Sequence, residues 1–237
     1  MPQVTLADIT KLRTATSAGM MDCKKALEES DGDFDKALDI IRKRGLLVAS
    51  KRADRTASEG AVLASVSSDN KFGVITSLNC ETDFVAKNQD FVAVADSINK
   101  AVLAKAPADM DALKQLQING RTVADIVSEK TGVIGEKLEI GYYDSIKAEK
   151  VVSYIHPGNG LAVVVGFNKT GLNEQVYRDV AMQIAAMKPV AVDKSDVPAS
   201  VLEREKEIGR EKARTEGKPE NMIEKIAEGM LLSLIHI

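Results

Sequence analysis

The chain has 237 residues, of which 44% are hydrophobic and 28% charged, and its formal net charge is −3. This hydrophobic content is enough for folded cores and argues against intrinsic disorder, while the acidic balance argues against a strongly basic nucleic-acid binder. Aromatic residues make up 4% of the chain and Trp is absent, so an aromatic platform for stacking nucleic-acid bases would be hard to build.

The cysteine content and the N-terminal segment limit the cellular context. Cys23 and Cys80 lie far apart and form no C-x-x-C motif, so we predict neither a disulfide framework nor a zinc site. Free cysteines favour a reducing compartment. Residues 1–5 begin no signal or transit pattern, and no apolar run reaches the length of a membrane span. We therefore expect a soluble, cytoplasmic protein without membrane contact.

The first fifty residues predict three short helices. Thr5 and Asp8 have the spacing of a capping box, ahead of apolar residues that recur at helical spacing. A second helix is predicted over residues 20–29. A third is predicted over residues 34–45, because a glycine after a basic turn is typical of a helix C-terminus. Three helices of this length can bury one small shared core.

Residues 42–55 form a basic segment. Six basic side chains stand against a single acid there: Arg42, Lys43, Arg44, Lys51, Arg52 and Arg55. The segment could bind phosphate groups, but the acidic balance of the whole chain favours a solvated helix end followed by a linker. We predict a linker, and we keep an RNA- or ribosome-binding module that uses this segment as the alternative function.

After Gly60, patterns typical of strands alternate with patterns typical of helices. The predicted elements are hairpin strands 61–66 and 72–78, helices 91–102, 113–116 and 123–128, hairpin strands 150–155 and 161–167, and a helix that ends before Pro189. The apolar face of this last helix is predicted to consist of Val176, Val180, Ile184 and Met187. The repeated order of hairpin and helix predicts two related α+β halves.

Charged residues dominate positions 203–228, at spacings that allow ion pairs four residues apart along an exposed helix. Gly217 and Pro219 interrupt this pattern. Two helices folded back on each other are therefore predicted in place of one long helix.

The sequence offers no catalytic centre. It contains no phosphate-binding glycine loop of the Walker or dinucleotide type. His156 lies in a predicted turn, and the neighbouring sequence supplies neither a nucleophile nor a group that would orient the imidazole as a base. A turn cap or a surface contact is favoured over a hydrolase that uses His156. We predict no catalytic residue, no metal ligand and no cofactor.

Two short segments stand out for other reasons. Asp83 and Phe84 are adjacent at a helix start, where successive side chains diverge by about 100° and cannot both face the core. Taken alone, this pattern favours Thr82 as the N-cap and Phe84 packed inward. In residues 17–25, paired methionines precede paired lysines, which favours buried methionines and exposed lysines.

Taken together, these segments resemble the elongation factor Ts family, the bacterial guanine-nucleotide exchange factors for elongation factor Tu. The resemblance spans residues 4 to about 229, in the order of the family's motifs. It rests on residues 12–13 and 16–27, Thr82-Asp83-Phe84-Val85-Ala86-Lys87, Val133-Ile134-Gly135-Glu136, His156-Pro157-Gly158 and Ala185-Ala186-Met187-Lys188-Pro189.

The resemblance implies an α+β fold with a defined domain order. The implied parts are a three-helix UBA-like domain at 1–50, a core N-subdomain at 57–145, a core C-subdomain at 146–195 and a protruding antiparallel helical hairpin at 196–229. Each core subdomain would combine an antiparallel hairpin with helices. Two departures stand out: Ser17 replaces a common glycine, and residues 230–237 differ from the family's charged continuation. We leave open whether that ending is native, a truncation or a foreign segment; in the last two cases His236 has no role.

The resemblance also implies which residues contact Tu. They are Lys24, Thr82, Asp83, Phe84, Val85, Ile134, Gly135 and His156. Phe84 would enter between helices of the nucleotide-binding domain of Tu and disturb its Mg²⁺ and phosphate site, which would loosen GDP. The implied partners are GDP-bound and nucleotide-free Tu. Nucleotide, nucleic acid and membrane are not expected to bind directly, and homodimerisation is left open.

Overall fold

The structure is a computed structural model and describes residues 4–16 and 18–235. It combines helices with small antiparallel sheets, which confirms the α+β class. The chain forms two compact units, the first ending at Lys169 and the second beginning at Thr170. Ser17 and His236, which the sequence singled out, lie outside the described residues.

The chain begins with three helices that share one core. They are α1 (Leu6–Thr16), α2 (Met20–Glu29) and α3 (Phe34–Lys51). The predicted capping box is confirmed, because the backbone N–H of Thr5 donates to the Asp8 carboxylate at 3.1 Å and that of Asp8 donates to the Thr5 hydroxyl at 3.3 Å. The shared core consists of Ile9, Leu12, Ala18, Cys23, Ala26, Leu27, Ala37 and Ile41.

The third helix does not end at Gly45 but continues to Lys51, so the prediction of a helix end at Gly45 followed by a linker is wrong for residues 46–51. Gly45 instead allows α3 to cross α7 (Val123–Ile134) closely. A Cβ atom added at Gly132 of α7 would lie 2.2 Å from the Gly45 Cα. Gly45 has no side chain, so the two helix backbones can approach closely. This role differs from that of a glycine that ends a helix.

Within residues 4–16 and 18–235, the strands form three small antiparallel sheets. They are β1 (Glu59–Val66), β2 (Phe72–Cys80), β3 (Gln117–Ile118), β4 (Arg121–Thr122), β5 (Glu139–Lys147), β6 (Lys150–Ile155) and β7 (Ala162–Phe167). The sheet orders are β1-β2-β5, β3-β4 and β6-β7. Both predicted hairpins, β1-β2 and β6-β7, are confirmed. The sequence analysis missed β5, a largely exposed edge strand without clean apolar alternation.

Helices α4 (Asp83–Ala86), α5 (Gln89–Lys105) and α6 (Met110–Gln115) complete the first unit together with α7. The main core lies between α5, α7 and the β1-β2 hairpin. It contains Ala61, Leu63, Val74, Leu78, Cys80, Ala86, Phe91, Ala95, Ile98, Val102, Leu113, Val123, Val127 and Leu138. Asn99 is buried in it and donates to the Leu63 carbonyl at 3.1 Å and the Thr76 hydroxyl at 2.9 Å, while it accepts from Ser65.

The second unit starts with α8 (Glu174–Met187), whose predicted end before Pro189 is confirmed. The predicted apolar face is wrong in part, because Val180 and Ile184 are half-buried while Val176 and Met187 are exposed. The buried residues of α8 are Tyr177, Ala181 and Ala185. The Tyr177 hydroxyl accepts from the Leu172 backbone N–H at 3.2 Å, so the large ring is buried with its polar end satisfied.

The predicted charged hairpin is also confirmed, as α9 (Ala199–Thr215) and α10 (Glu220–Ile235) pack against each other. Gly209 permits close approach, because a Cβ there would lie 3.0 Å from the Ala227 Cα. Arg210 donates twice to Glu224, at 2.8 and 2.9 Å, and so links the two helices. In the described part of the chain, no helix has both the length and the apolar character needed to cross a membrane.

Candidate functional site

The short helix α4 presents an aromatic ring to solvent. The side chain of Phe84 is 83% exposed, whereas that of Phe91 is 1% exposed. The expectation from local pattern that Phe84 packs inward is therefore wrong. The expectation of Thr82 as N-cap is confirmed, because the Val85 backbone N–H donates to the Thr82 hydroxyl at 3.4 Å. A capped turn thus carries an exposed ring, which is an unusual use of a large apolar side chain.

Asp83 lies beside the ring at the start of α4 and is paired with a lysine. Its carboxylate accepts from the Lys87 ammonium group at 2.7 Å, one helical turn later. This hydrogen bond, together with the positive charge of Lys87, lowers the pKa of Asp83. Both side chains are exposed, so a partner could replace Lys87 as the cation that Asp83 contacts.

A groove of about 310 Å³ runs beside the Phe84 ring. Its lining consists of Phe84, Val85, Asn88, Asp90, Phe91, Lys130, Val133 and Ile134. Phe84, Val85 and Ile134, three of the residues predicted from the sequence, are therefore brought together. The groove is mainly apolar, and burial lowers the pKa of the Lys130 ammonium group in its wall.

The turn that carries Phe84 is attached to the loop after α7 through Glu136. One carboxylate oxygen of Glu136 accepts from the backbone N–H groups of Glu81, at 3.1 Å, and Thr82, at 3.0 Å, and the other accepts from the Thr82 hydroxyl at 2.7 Å. Gly135 ends α7 in the left-handed conformation, with φ of 80°, that glycine adopts easily. The predicted Ile134 and Gly135 thus precede the residue that holds the turn.

Glu81 makes the reverse attachment. Its carboxylate accepts from the Lys137 backbone N–H at 2.6 Å and from the Arg52 guanidinium group at 2.8 Å. These two donors lower the pKa of Glu81. The sequence analysis named Arg52 only as a member of the basic segment 42–55 and Glu136 only as the last member of the 133–136 motif, and it assigned no role to Glu81.

Lys24 lies on a separate part of the surface and does not line the groove. It is about half exposed on α2 and lies 3.7 Å from Glu28. Met20 and Met21, at the start of the same helix, are also exposed, so the prediction of buried methionines is wrong. The exposed face of α2 thus combines flexible apolar methionine side chains with a lysine that is paired with a carboxylate.

His156 lies in the turn between β6 and β7, away from the groove lining. Its backbone N–H donates to the Leu161 carbonyl at 2.8 Å, and its ring Nδ1 lies 2.9 Å from the Tyr154 hydroxyl. Among residues 4–16 and 18–235, no carboxylate contacts the imidazole, so the geometry of a catalytic base is not present. Across the same ranges, no cluster of His, Cys, Asp and Glu could hold a metal ion.

The basic segment 42–55 is partly neutralised within the chain. Arg44 donates to Glu29 at 2.6 Å and Arg52 to Glu81 at 2.8 Å, and Arg42 lies 3.9 Å from Asp39. Half of its six cations therefore have a carboxylate partner, which weakens the segment as a phosphate-binding surface.

Comparisons with known proteins point to one family. A family model described as "Elongation factor TS" matches residues 81–236. A protein named Elongation factor Ts from Azobacteroides pseudotrichonymphae is 49% identical over 228 residues, which is 96% of this chain and 82% of that protein. Proteins of the same name from Porphyromonas gingivalis and Christiangramia forsetii are each 50% identical, over 96% and 98% of this chain and 82% and 84% of their own lengths.

Proposed function

The chain belongs to the elongation factor Ts family, and from this premise we propose that it is a guanine-nucleotide exchange factor for elongation factor Tu in translation elongation. The observation that carries the proposal is the exposed ring of Phe84 on a capped and anchored turn. An apolar ring held in water by a fixed backbone is suited to enter a second protein.

The proposed mechanism is displacement. Phe84 enters the nucleotide-binding domain of Tu and shifts an element that holds Mg²⁺. Magnesium requires nearly octahedral coordination at about 2.0 to 2.1 Å, so a small shift of one ligand weakens its hold on the phosphates. GDP then dissociates and GTP can enter. By linkage, GDP weakens the binding of the factor as much as the factor weakens the binding of GDP. No covalent bond changes, so the protein is not an enzyme in this proposal.

The proposed contact surface has a central part and two outer parts. The central part consists of Thr82, Asp83, Phe84, Val85, Ile134 and Gly135, and the grouping of Phe84, Val85 and Ile134 along one groove supports it. Lys24 on α2 and His156 in the β6-β7 turn are the outer contacts. Both are exposed to solvent, as residues of an unoccupied contact surface should be.

We extend the proposal to the domain division. The three helices with their own core support a UBA-like domain at 1–50. The order of hairpin and helix supports related core subdomains at 57–145 and 146–195, and the paired helices α9 and α10 support a hairpin domain at 196–229. The proposed partners are GDP-bound and nucleotide-free Tu in the cytoplasm. Direct binding of nucleotide, nucleic acid or membrane is not part of the proposal, nor is any cofactor, and homodimerisation is left open.

The test is release of fluorescent GDP from purified Tu. The unmodified chain should accelerate release, and Phe84→Ala should lose most of the acceleration at unchanged stability, because the ring is exposed. Tyr142→Ala, which removes another exposed aromatic side chain from the same unit, is the matched control and should retain the acceleration. Failure of the unmodified chain to accelerate release would refute exchange activity. Full acceleration by both Phe84→Ala and Asp83→Ala would refute displacement by this turn.

The alternative, an RNA- or ribosome-binding module built on residues 42–55, is not favoured, because three arginines of that segment are paired with carboxylates outside it. It predicts binding that weakens steeply with salt and has no effect on GDP release.

A further inference from the structure

We propose that Glu136, Glu81 and Arg52 are positioning residues, which fix the turn that carries Phe84 and connect it to the end of α3. The inference rests on the proposed function, since it states how the chain orients the ring that exchange requires. Its starting point is that α4 spans only Asp83–Ala86. A helix of four residues is too short to be stable by itself, so other contacts must hold it.

The ring itself contributes little to holding the turn. Because Phe84 is exposed, its burial cannot anchor α4, and the apolar contacts of this helix come from the small buried Ala86 and the partly buried Val85. Glu136 supplies the missing restraint, since it accepts two backbone N–H groups and one hydroxyl from the two residues before Asp83. Hydrogen bonds to a carboxylate are about twice as strong as those between neutral groups.

The attachment is reciprocal, which limits rotation as well as translation. Glu136 binds the backbone of residues 81–82, while Glu81 binds the backbone N–H of Lys137 at 2.6 Å. Each loop therefore supplies a carboxylate to the backbone of the other. A single hydrogen bond would let the turn pivot, whereas two sets of bonds in opposite directions fix its orientation relative to the end of α7.

Arg52 extends the attachment to the first helical group. It is the C-cap residue of α3, and its guanidinium group donates to the same Glu81 carboxylate at 2.8 Å. Lys137 adds a second link, as its ammonium group donates to the Arg55 carbonyl at 3.0 Å. The end of α3, the Phe84 turn and the loop after α7 thus share one hydrogen-bond network. The network therefore fixes the position of the Phe84 ring relative to the first three helices, so a partner that contacts those helices meets the ring at a defined distance from them.

The test compares Glu136→Ala with Glu136→Gln. The glutamine oxygen can still accept both backbone N–H groups, and its amide can donate to the Thr82 hydroxyl, so Gln should restore most of what Ala removes. Two quantities are measured: the maximal rate of GDP release from Tu at saturating factor, and hydrogen exchange of the amides of residues 81–87 in the free chain. Glu149→Ala, which removes an exposed carboxylate elsewhere, is the matched control.

We expect Glu136→Ala to lower the maximal rate about tenfold and to speed amide exchange in the turn about tenfold, on the scale of one or two charge-assisted hydrogen bonds. Glu136→Gln should stay within about threefold of the unmodified chain in both measurements. Arg52→Met leaves both loops intact and should lower the maximal rate about threefold, so it tests the network even if the alanine variant fails to fold.

The outcomes separate this inference from the proposed function. If the unmodified chain accelerates GDP release and Phe84→Ala does not, the function stands. If Glu136→Ala and Arg52→Met then give the same maximal rate as the unmodified chain, the positioning role alone is overturned. Faster amide exchange at an unchanged maximal rate would show a structural role only and also overturns it. If the unmodified chain gives no acceleration, the proposed function fails, and unchanged amide exchange in Glu136→Ala would overturn the attachment as well.

Discussion

Replacing Gly132 by alanine should force α3 and α7 apart. The added Cβ would lie 2.2 Å from the Gly45 Cα and 3.0 Å from its nitrogen, whereas ordinary contacts begin near 3.4 Å. The helices must therefore separate by roughly 1 Å along their crossing, with loss of dispersion contacts on both sides. Overpacking of this kind costs about 1 to 3 kcal/mol or more, and the better helix propensity of alanine returns up to about 1 kcal/mol. We expect Gly132→Ala to lower the free energy of unfolding by about 2 kcal/mol.

Urea unfolding followed by circular dichroism measures this change. Gly229→Ala is the matched control, because Gly229 lies in α10 with nothing within 4 Å of an added Cβ. That substitution should be neutral or stabilise by up to about 1 kcal/mol. If Gly132→Ala behaved like the control, the close contact between α3 and α7 would be refuted, and with it the explanation of why α3 continues through Gly45.

Three further predictions concern the cores and the helical hairpin. Burial raises the pKa of the Cys80 thiol to about 11, so about one thiol in a thousand is ionised at pH 8. Iodoacetamide should therefore label Cys80 slowly until urea is added. Rapid labelling of the folded chain, detected by mass spectrometry, would contradict this. Asn99→Ala removes a buried amide with three partners and should cost about 3 kcal/mol in urea unfolding, and a loss below about 1 kcal/mol would mean that the network contributes little. Arg210→Met removes the bidentate link to Glu224. Because salt screens exposed charges, the substitution should lower the melting temperature less in 1 M salt than in dilute buffer. An equal drop in both would argue against an ionic contribution.

Local signals were sufficient to predict much of the secondary structure. The Thr5 and Asp8 spacing defines the start of α1, because capping involves residues only three apart. The helix predicted over residues 20–29 agrees with α2, and α8 ends before Pro189 as predicted. In each case the residues that determine the helix end are only a few positions apart in the sequence, so a local pattern can predict it.

Predictions failed where distant parts of the chain decide the structure. Gly45 has the local pattern of a helix end, but its role depends on Gly132, which lies on another helix. Strand β5 lies at the edge of its sheet beside β2 and is mostly exposed, so it lacks the alternation that a half-buried strand shows. The hydrogen bonds between Glu136 and the Phe84 turn join residues 54 and 55 positions apart, and no local pattern predicts such a pairing.

The exposed ring of Phe84 also has a thermodynamic consequence. Water that hydrates an apolar ring contributes heat capacity, which is lost when another surface covers the ring. Association through this ring would therefore release more heat as the temperature rises, and an alanine at this position would flatten that dependence. Titration calorimetry at several temperatures would thus separate the contribution of one side chain from that of the charged contacts around it.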